Sequence, residues 1–201
     1  MMTRRSVLFL ATMIPAAAVF GQPFSRDEWG GNSNRNGGSG RFDSTTGGGG
    51  LYEIVNVENG KVIDLDRRDG RTVIQFEARG TRNQFWEVRR MGDGRYQLVN
   101  AMNGAALAET GPRKSSPVAA FPIGRRGDAS QEWRIESYRD GSVMLIAYSG
   151  RALDVPDGTH RDGVQVQTYD RNGDGNQRFF LRPVNARGNE GRERPDSRRR
   201  Y

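Results

Sequence analysis

Three copies of one unit recur in step along this chain, and that repetition limits its fold more than any other feature. Asn83-Gln84-Phe85-Trp86, Ser130-Gln131-Glu132-Trp133 and Asn176-Gln177-Arg178-Phe179 place their glutamines 47 and then 46 residues apart. Upstream, Asn59-Gly60, Asn103-Gly104 and Ser149-Gly150 form a second landmark, with glycines 44 and 46 residues apart. Two landmarks that keep the same spacing mark a duplicated supersecondary unit of roughly 45 residues. The units contain short alternating runs, Tyr52-Glu53-Ile54-Val55-Asn56, Tyr96-Gln97-Leu98-Val99-Asn100 and Val143-Met144-Leu145-Ile146-Ala147. Gly-containing turns such as Gly92-Asp93-Gly94 and Asp140-Gly141 introduce them, as strands require. No window in the repeats carries an apolar stripe of helical period, so the reading is all-β.

A unit of this size cannot bury its own apolar face, so the three must close on one another with pseudo-threefold symmetry. A propeller ordinarily needs at least four blades, which argues against that otherwise similar period. Trp86, Trp133 and Phe179 then read as core plugs, each worth roughly 1.5 to 3 kcal/mol on burial. Gln84, Gln131 and Gln177, two residues earlier, are left to bond backbone at the edge of the core or a ligand at its rim.

The repeated Gln-x-Trp, degenerate in the third copy as Gln177-Arg178-Phe179, together with Leu153-Asp154-Val155, resembles the ricin B-chain-type β-trefoil lectins over residues 51–184. The resemblance implies a barrel and cap of six hairpins, with up to one sugar site per repeat. The chain departs from it by lacking cysteines and by carrying Phe179 where the third tryptophan belongs.

A sugar ring offers vicinal hydroxyls and a C–H face, so a site wants a carboxylate, an amide and an aromatic platform. In lectins of this type the carboxylate follows the Gly-x-x-Leu turn, the platform lies about 13 to 16 residues on, and an Asn-Gln pair closes the rim. The third repeat has every part: Asp154, then Tyr169 in Val166-Gln167-Thr168-Tyr169, then Asn176-Gln177. Gln167 and the loop residue His160 join these as candidates. The first repeat is the weaker second site, with Asp64 and Asn83-Gln84. Its platform position carries Glu77, and Phe76, one residue off, reads as core because a one-residue shift turns a strand side chain to the other face. The second repeat, with Ala108 and Ser130 in place of the carboxylate and the Asn, should be silent, leaving Phe121 and Pro117 to packing and turn geometry. Asp170-Arg171-Asn172-Gly173-Asp174-Gly175 copies the start of a calcium loop, but position twelve is Leu181 and no helices flank it, so it reads as a polar turn.

With no cysteine and a single histidine, thiolate chemistry, disulfides and multi-His metal sites are excluded, and no metal or cofactor is expected. Asp64/Asp66 and Asp154/Asp157 are weak candidates for a glycosidase pair, since both read as strand or turn chemistry. Most of the net charge of +7 sits outside the repeats: residues 51–184 hold 20 Lys and Arg against 18 Asp and Glu, which argues against a basic nucleic-acid groove.

Residues 1–21 read as a signal peptide, with Arg4 and Arg5 ahead of an apolar run from Val7 to Phe20 too short to span a bilayer. Thr3-Arg4-Arg5-Ser6-Val7-Leu8 also fits a twin-arginine signal, so the expected location is periplasmic or extracellular with no transmembrane span after cleavage. Residues 22–50, with nine glycines, read as a linker, and residues 185–201 as a disordered Arg-rich tail suited to an anionic surface. The expected function is non-catalytic binding of glycans or polysaccharide through the third repeat. The alternatives are a β-trefoil interaction or inhibitor module with vestigial sugar sites, or a glycoside hydrolase.

Overall fold

The computed structural model describes residues 49–124 and 128–184. The segments read as signal peptide (1–21) and Arg-rich tail (185–201), and most of that read as linker, lie outside the described residues.

Among the described residues there are thirteen strands and no α-helix. In chain order they are β1 (Gly50–Asn56), β2 (Val62–Leu65), β3 (Val73–Phe76), β4 (Phe85–Gly92), β5 (Arg95–Asn100), β6 (Ala106–Glu109), β7 (Ser116–Phe121), β8 (Trp133–Ser137), β9 (Val143–Ile146), β10 (Ala152–Asp154), β11 (Val164–Gln165), β12 (Gln167–Tyr169) and β13 (Phe179–Pro183). Six of them form a closed ring of antiparallel pairs, β1 to β4, β4 to β5, β5 to β8, β8 to β9, β9 to β13 and β13 back to β1. Closure leaves this barrel without an edge.

The remaining strands form three hairpins, β2–β3, β6–β7 and β10–β12, one per repeat. They are linked in a triangle by β3–β11, β7–β12 and the bridge between Thr72 and Ala119. Barrel plus triangular cap is the β-trefoil that the threefold repetition implies, and each repeat is one lobe. No described helix is long and apolar enough to cross a membrane.

The three plugs sit where the lobes meet. Trp86, Trp133 and Phe179 are fully buried among Ile54, Leu98, Leu107, Leu145 and Leu153. The two indoles also bind the cap to the barrel, since Trp86 Nε1 donates to the Ile63 carbonyl at 3.0 Å and Trp133 Nε1 to that of Leu107 at 2.9 Å. Phe179 fills its place by packing alone.

The glutamines of the motif are buried clamps. Gln84 donates to the Glu77 carbonyl and accepts from Arg79 N–H; Gln131 does the same with Pro122 and Gly124, and Gln177 with Asp170 and Asn172. Each clamp satisfies a carbonyl and an N–H two residues apart in the chain leaving the cap hairpin, groups that would otherwise be costly to leave unpaired.

Candidate functional site

Asp154 ends β10, opposite Gln167 of β12, in a register that also sets Tyr169 opposite Ala152. Side chains two residues apart on a strand share a face, so this register puts the carboxylate and the ring on one side of the hairpin. The carboxylate is 2% exposed and meets three amides: Gln167 Nε2 donates to Oδ1 at 2.8 Å, and Asn176 Nδ2 and Gln177 Nε2 donate to Oδ2 at 2.9 and 3.0 Å. Asn176 is fixed in turn by a bond from the same amide to the Val155 carbonyl at 3.1 Å. Burial pushes the Asp154 carboxyl above the ordinary carboxylate range; the charge of Asp157 adds to this, and the amide donors oppose it.

Asp154, Gln167, Tyr169 and Asn176 line one cavity of about 520 Å³, completed by Glu58, Asp157, Gly158, Asn172, Asp174 and Gly175. The hairpin loop makes the hollow: a 3-10 turn at Pro156–Gly158, with Asp157 at φ 54, carries the chain outward before it returns along β11 and β12. Two expected residues fall elsewhere. Gln177 is fully buried behind the cavity and positions Asp154. His160 is exposed on the loop and is not part of the wall, because buried Gln75 bonds the carbonyls of Thr159 and Arg161 on either side of it and fixes that stretch against the first lobe.

Glu58 escapes sequence reasoning because it belongs to another lobe. It stands in the turn between β1 and β2, which Asn56 ties to the Gly175 and Asn176 carbonyls at 3.2 Å and Asn59 ties to the Thr159 carbonyl at 2.9 Å. Its carboxylate occupies space left by two glycines. A Cβ at Gly158 or at Gly175 would come within 2.9 Å of a Glu58 oxygen.

In the first lobe, Asp64 repeats the arrangement. Asn83 Nδ2 donates to its Oδ1 at 2.9 Å and Gln84 Nε2 to its Oδ2 at 2.8 Å, and burial again raises the carboxyl. Gln84, like Gln177, is fully buried and acts from behind. Phe76 corrects the sequence reading: it is half-buried and lines a hollow of about 150 Å³ with Asp64, Asn83, Asp66, Arg67 and Arg79. The hairpin is three residues shorter than in the third lobe, so Phe76 pairs with Val62 just as Tyr169 pairs with Ala152. Phe76 stands 12 residues after Asp64 against 15 from Asp154 to Tyr169, so a window of about 13 to 16 residues opens one position late, on Glu77.

The second lobe keeps the same register, with Phe121 opposite Ala106, but Ala108 presents no carboxylate. Ser130, in the position of Asn83 and Asn176, bonds to Asp128 at 2.7 Å. Each aromatic at the platform position lies beside a cation: Arg79 over Phe76 at 4.3 Å, Arg71 over Phe121 at 4.5 Å and the Lys114 ammonium over Tyr169 at 4.2 Å from the ring centre.

Comparison with known proteins agrees with this fold. A family model described as the ricin-type beta-trefoil lectin domain matches residues 50–179. Among solved structures, the designed threefold-symmetric protein ThreeFoil is 31% identical, with a TM-score of 0.63, covering 67% of this chain and 99% of that one. The ricin B-like lectin of Macrolepiota procera, solved with lactose, is 24% identical, with a TM-score of 0.60, over 67% of this chain and 96% of its own. The exo-beta-1,3-galactanase of Clostridium thermocellum matches at 24% identity and a TM-score of 0.62, over 67% of this chain and 30% of the enzyme. No curated protein matches by sequence. The chain thus belongs to the ricin-type β-trefoil lectin family, a family of carbohydrate-binding domains.

Proposed function

We propose that this protein is a non-catalytic lectin whose third lobe holds the sugar. The observation that carries the reading is the convergence of Asp154, Tyr169 and Asn176 on one cavity large enough for a saccharide ring. Asp154, oriented by Gln167 and Gln177, accepts hydrogen bonds from two hydroxyls. Tyr169 covers the apolar face of the ring, and Asn176 bridges to a hydroxyl already bound by Asp154. Lactose in the Macrolepiota procera lectin and GalNAc in the earthworm R-type lectin C-half support a saccharide as the ligand class.

No covalent step is involved. Three amide donors on one carboxylate favour its role as an acceptor over that of a proton-donating acid. A single open site of this kind binds simple sugars at about millimolar, roughly −4 kcal/mol, so polymeric ligands or further sites supply avidity. We further propose export to the periplasm or beyond, supported by Arg4-Arg5 and the apolar run to Phe20, and attachment to an anionic surface through Arg198-Arg199-Arg200.

A glycan array probed with the wild-type chain, Asp154→Ala and Asp64→Ala tests the assignment. The expected outcome is binding by the wild type and by Asp64→Ala and none by Asp154→Ala. A blank wild-type array overturns the lectin reading, and binding that survives Asp154→Ala overturns the choice of lobe. Hydrolysis of the arrayed glycans by the wild type alone overturns the non-catalytic assignment.

A further inference from the structure

The wall of the third-lobe cavity is one-sided in charge. Glu58, Asp154, Asp157 and Asp174 all line it, and no lysine or arginine does. Many other carboxylates on the described surface meet cations. Glu53 pairs with Arg182, Asp66 with Arg68, Glu132 with Arg95, Glu136 with Arg171, Asp140 with Arg178 and Asp162 with Lys61. Among the described residues the side chains of Glu58, Asp157 and Asp174 have neither an ion-pair partner nor a hydrogen-bond donor, in a chain with 31 Lys and Arg against 24 Asp and Glu. Like charges held at one rim repel, and a cavity focuses their field on whatever enters.

Three details show that the arrangement is built. Glu58 reaches the cavity from the first lobe, in a turn held on both sides by Asn56 and Asn59, and its carboxylate lies against Gly158 and Gly175, where an added Cβ would come within 2.9 Å of it. The corresponding turn of the second lobe carries Met102 where the first carries Glu58, so the acid is particular to this cavity. Tyr169 already lies under an ammonium, that of Lys114, which is not part of the wall and is tied to Asp170 at 3.6 Å. A metal ion does not account for the acids, because no group of three or more among the described residues converges as ligands.

We propose that the third-lobe cavity selects sugars bearing a free, protonated amine, hexosamines without their acetyl group, and discriminates against uronic and sulfated sugars. The inference rests on the sugar-binding reading above. An ammonium on the ring edge meets carboxylates spread around the rim without giving up its hydration entirely, while the ring hydroxyls use Asp154 and Asn176. A carboxylate or sulfate in the same place meets four negative charges.

Calorimetric titration of the full chain with the methyl glycosides of glucosamine and galactosamine, their N-acetyl forms and the matching uronic acids tests this, at a pH of about 6 where the free amine is protonated. We expect the better amine to bind at least about fivefold more tightly than its N-acetyl partner at low salt, and the uronic acids to bind more weakly than either. The amine-to-acetyl ratio falls toward one in ~0.5 M salt and in the Glu58→Gln/Asp174→Asn variant, whose folding is checked by its melting temperature. Equal binding of amine and acetyl forms, or uronic acids that match them, overturns the proposal. If that happens while neutral sugars still bind in an Asp154-dependent way, the lectin reading stands and only the selectivity fails. If no sugar binds, both fall.

Discussion

The first and third lobes carry the same carboxylate, held by the same Asn-Gln pair, with an aromatic ring at the same register position, yet they enclose hollows of about 150 and 520 Å³. The difference lies in the loop between the hairpin strands. In the first lobe Asp69 accepts bonds from the backbone N–H groups of Arg71 and Thr72 and from the Thr72 hydroxyl, pulling the connection into a tight turn. Arg67 and Arg79 then line the hollow beside Asp64 and Asp66, balancing its charge, and Arg79 covers Phe76. In the third lobe the longer loop runs through Pro156–Gly158, opens the space and lines it with acid. A duplicated scaffold thus fixes where a ligand group stands, and the loop decides whether anything can reach it.

The largest effect expected from this comparison is on pH. Asp154 must be ionised to accept hydroxyls, and burial together with Asp157 raises its carboxyl above the usual range, with Glu58 and Asp174 facing the same space. Binding is therefore present above that raised value and lost as pH falls through it, at a milder acidity than an ordinary aspartate would show. At one pH unit below the midpoint, affinity should be down about tenfold. Stability runs the opposite way. Asp154 contributes most below its unfolded value of 3.8, and that contribution is lost as pH rises through the folded value. Titrations from pH 7 to pH 4 with a neutral glycoside check the binding arm; affinity that holds unchanged to pH 4 would show that Asp154 is not the acceptor.

Much of this was legible in the chain, and the reasons can be traced residue by residue. The in-phase Gln-x-Trp motifs revealed the threefold fold because their roles are strict: Trp86 and Trp133 fill the core and bond the cap, and each glutamine clamps two fixed backbone groups. Asp154, Tyr169 and Asn176 were legible for the same reason, as repeat positions. Phe76 was misread because spacing along a sequence is not register across a hairpin, and a loop three residues shorter moves the count without moving the strand. His160 was overvalued because proximity along the chain says nothing of which way a loop residue faces. Glu58 was invisible because it enters from a neighbouring lobe, and no spacing within the third repeat refers to it.

A second, smaller effect compares the two rings. Tyr169→Ala should weaken sugar binding by about 2- to 12-fold, the range expected for losing an aromatic contact worth about 0.5 to 1.5 kcal/mol, while Phe76→Ala should leave it within error. Each ring has a cation over it, so the contrast follows from space: the hollow beside Phe76 is about 150 Å³ against about 520 Å³ beside Tyr169. Isothermal titration of both variants with one sugar decides the matter; an equal loss in both would mean that the two hollows act together.

The smallest effect concerns the turn that keeps the first lobe closed. The three donors from Arg71 and Thr72 hold the Asp69 carboxyl down at about 2, so its contribution to stability is present above its unfolded value of 3.8 and lost as pH falls toward about 2. The group is well exposed, and solvent screening keeps that contribution small. Asp69→Ala removes the acceptor for two backbone N–H groups and a hydroxyl, and should cost about 1 kcal/mol, as the loss of a comparable capping side chain does. Thermal melts at pH 7 and pH 2 distinguish this from a general loss of packing: the gap between wild type and variant should narrow in acid, where wild-type Asp69 has begun to be protonated. A gap of the same size at both pH values would mean that the carboxylate does not hold the turn, and the compactness of the first lobe would then have to come from its hairpin strands instead.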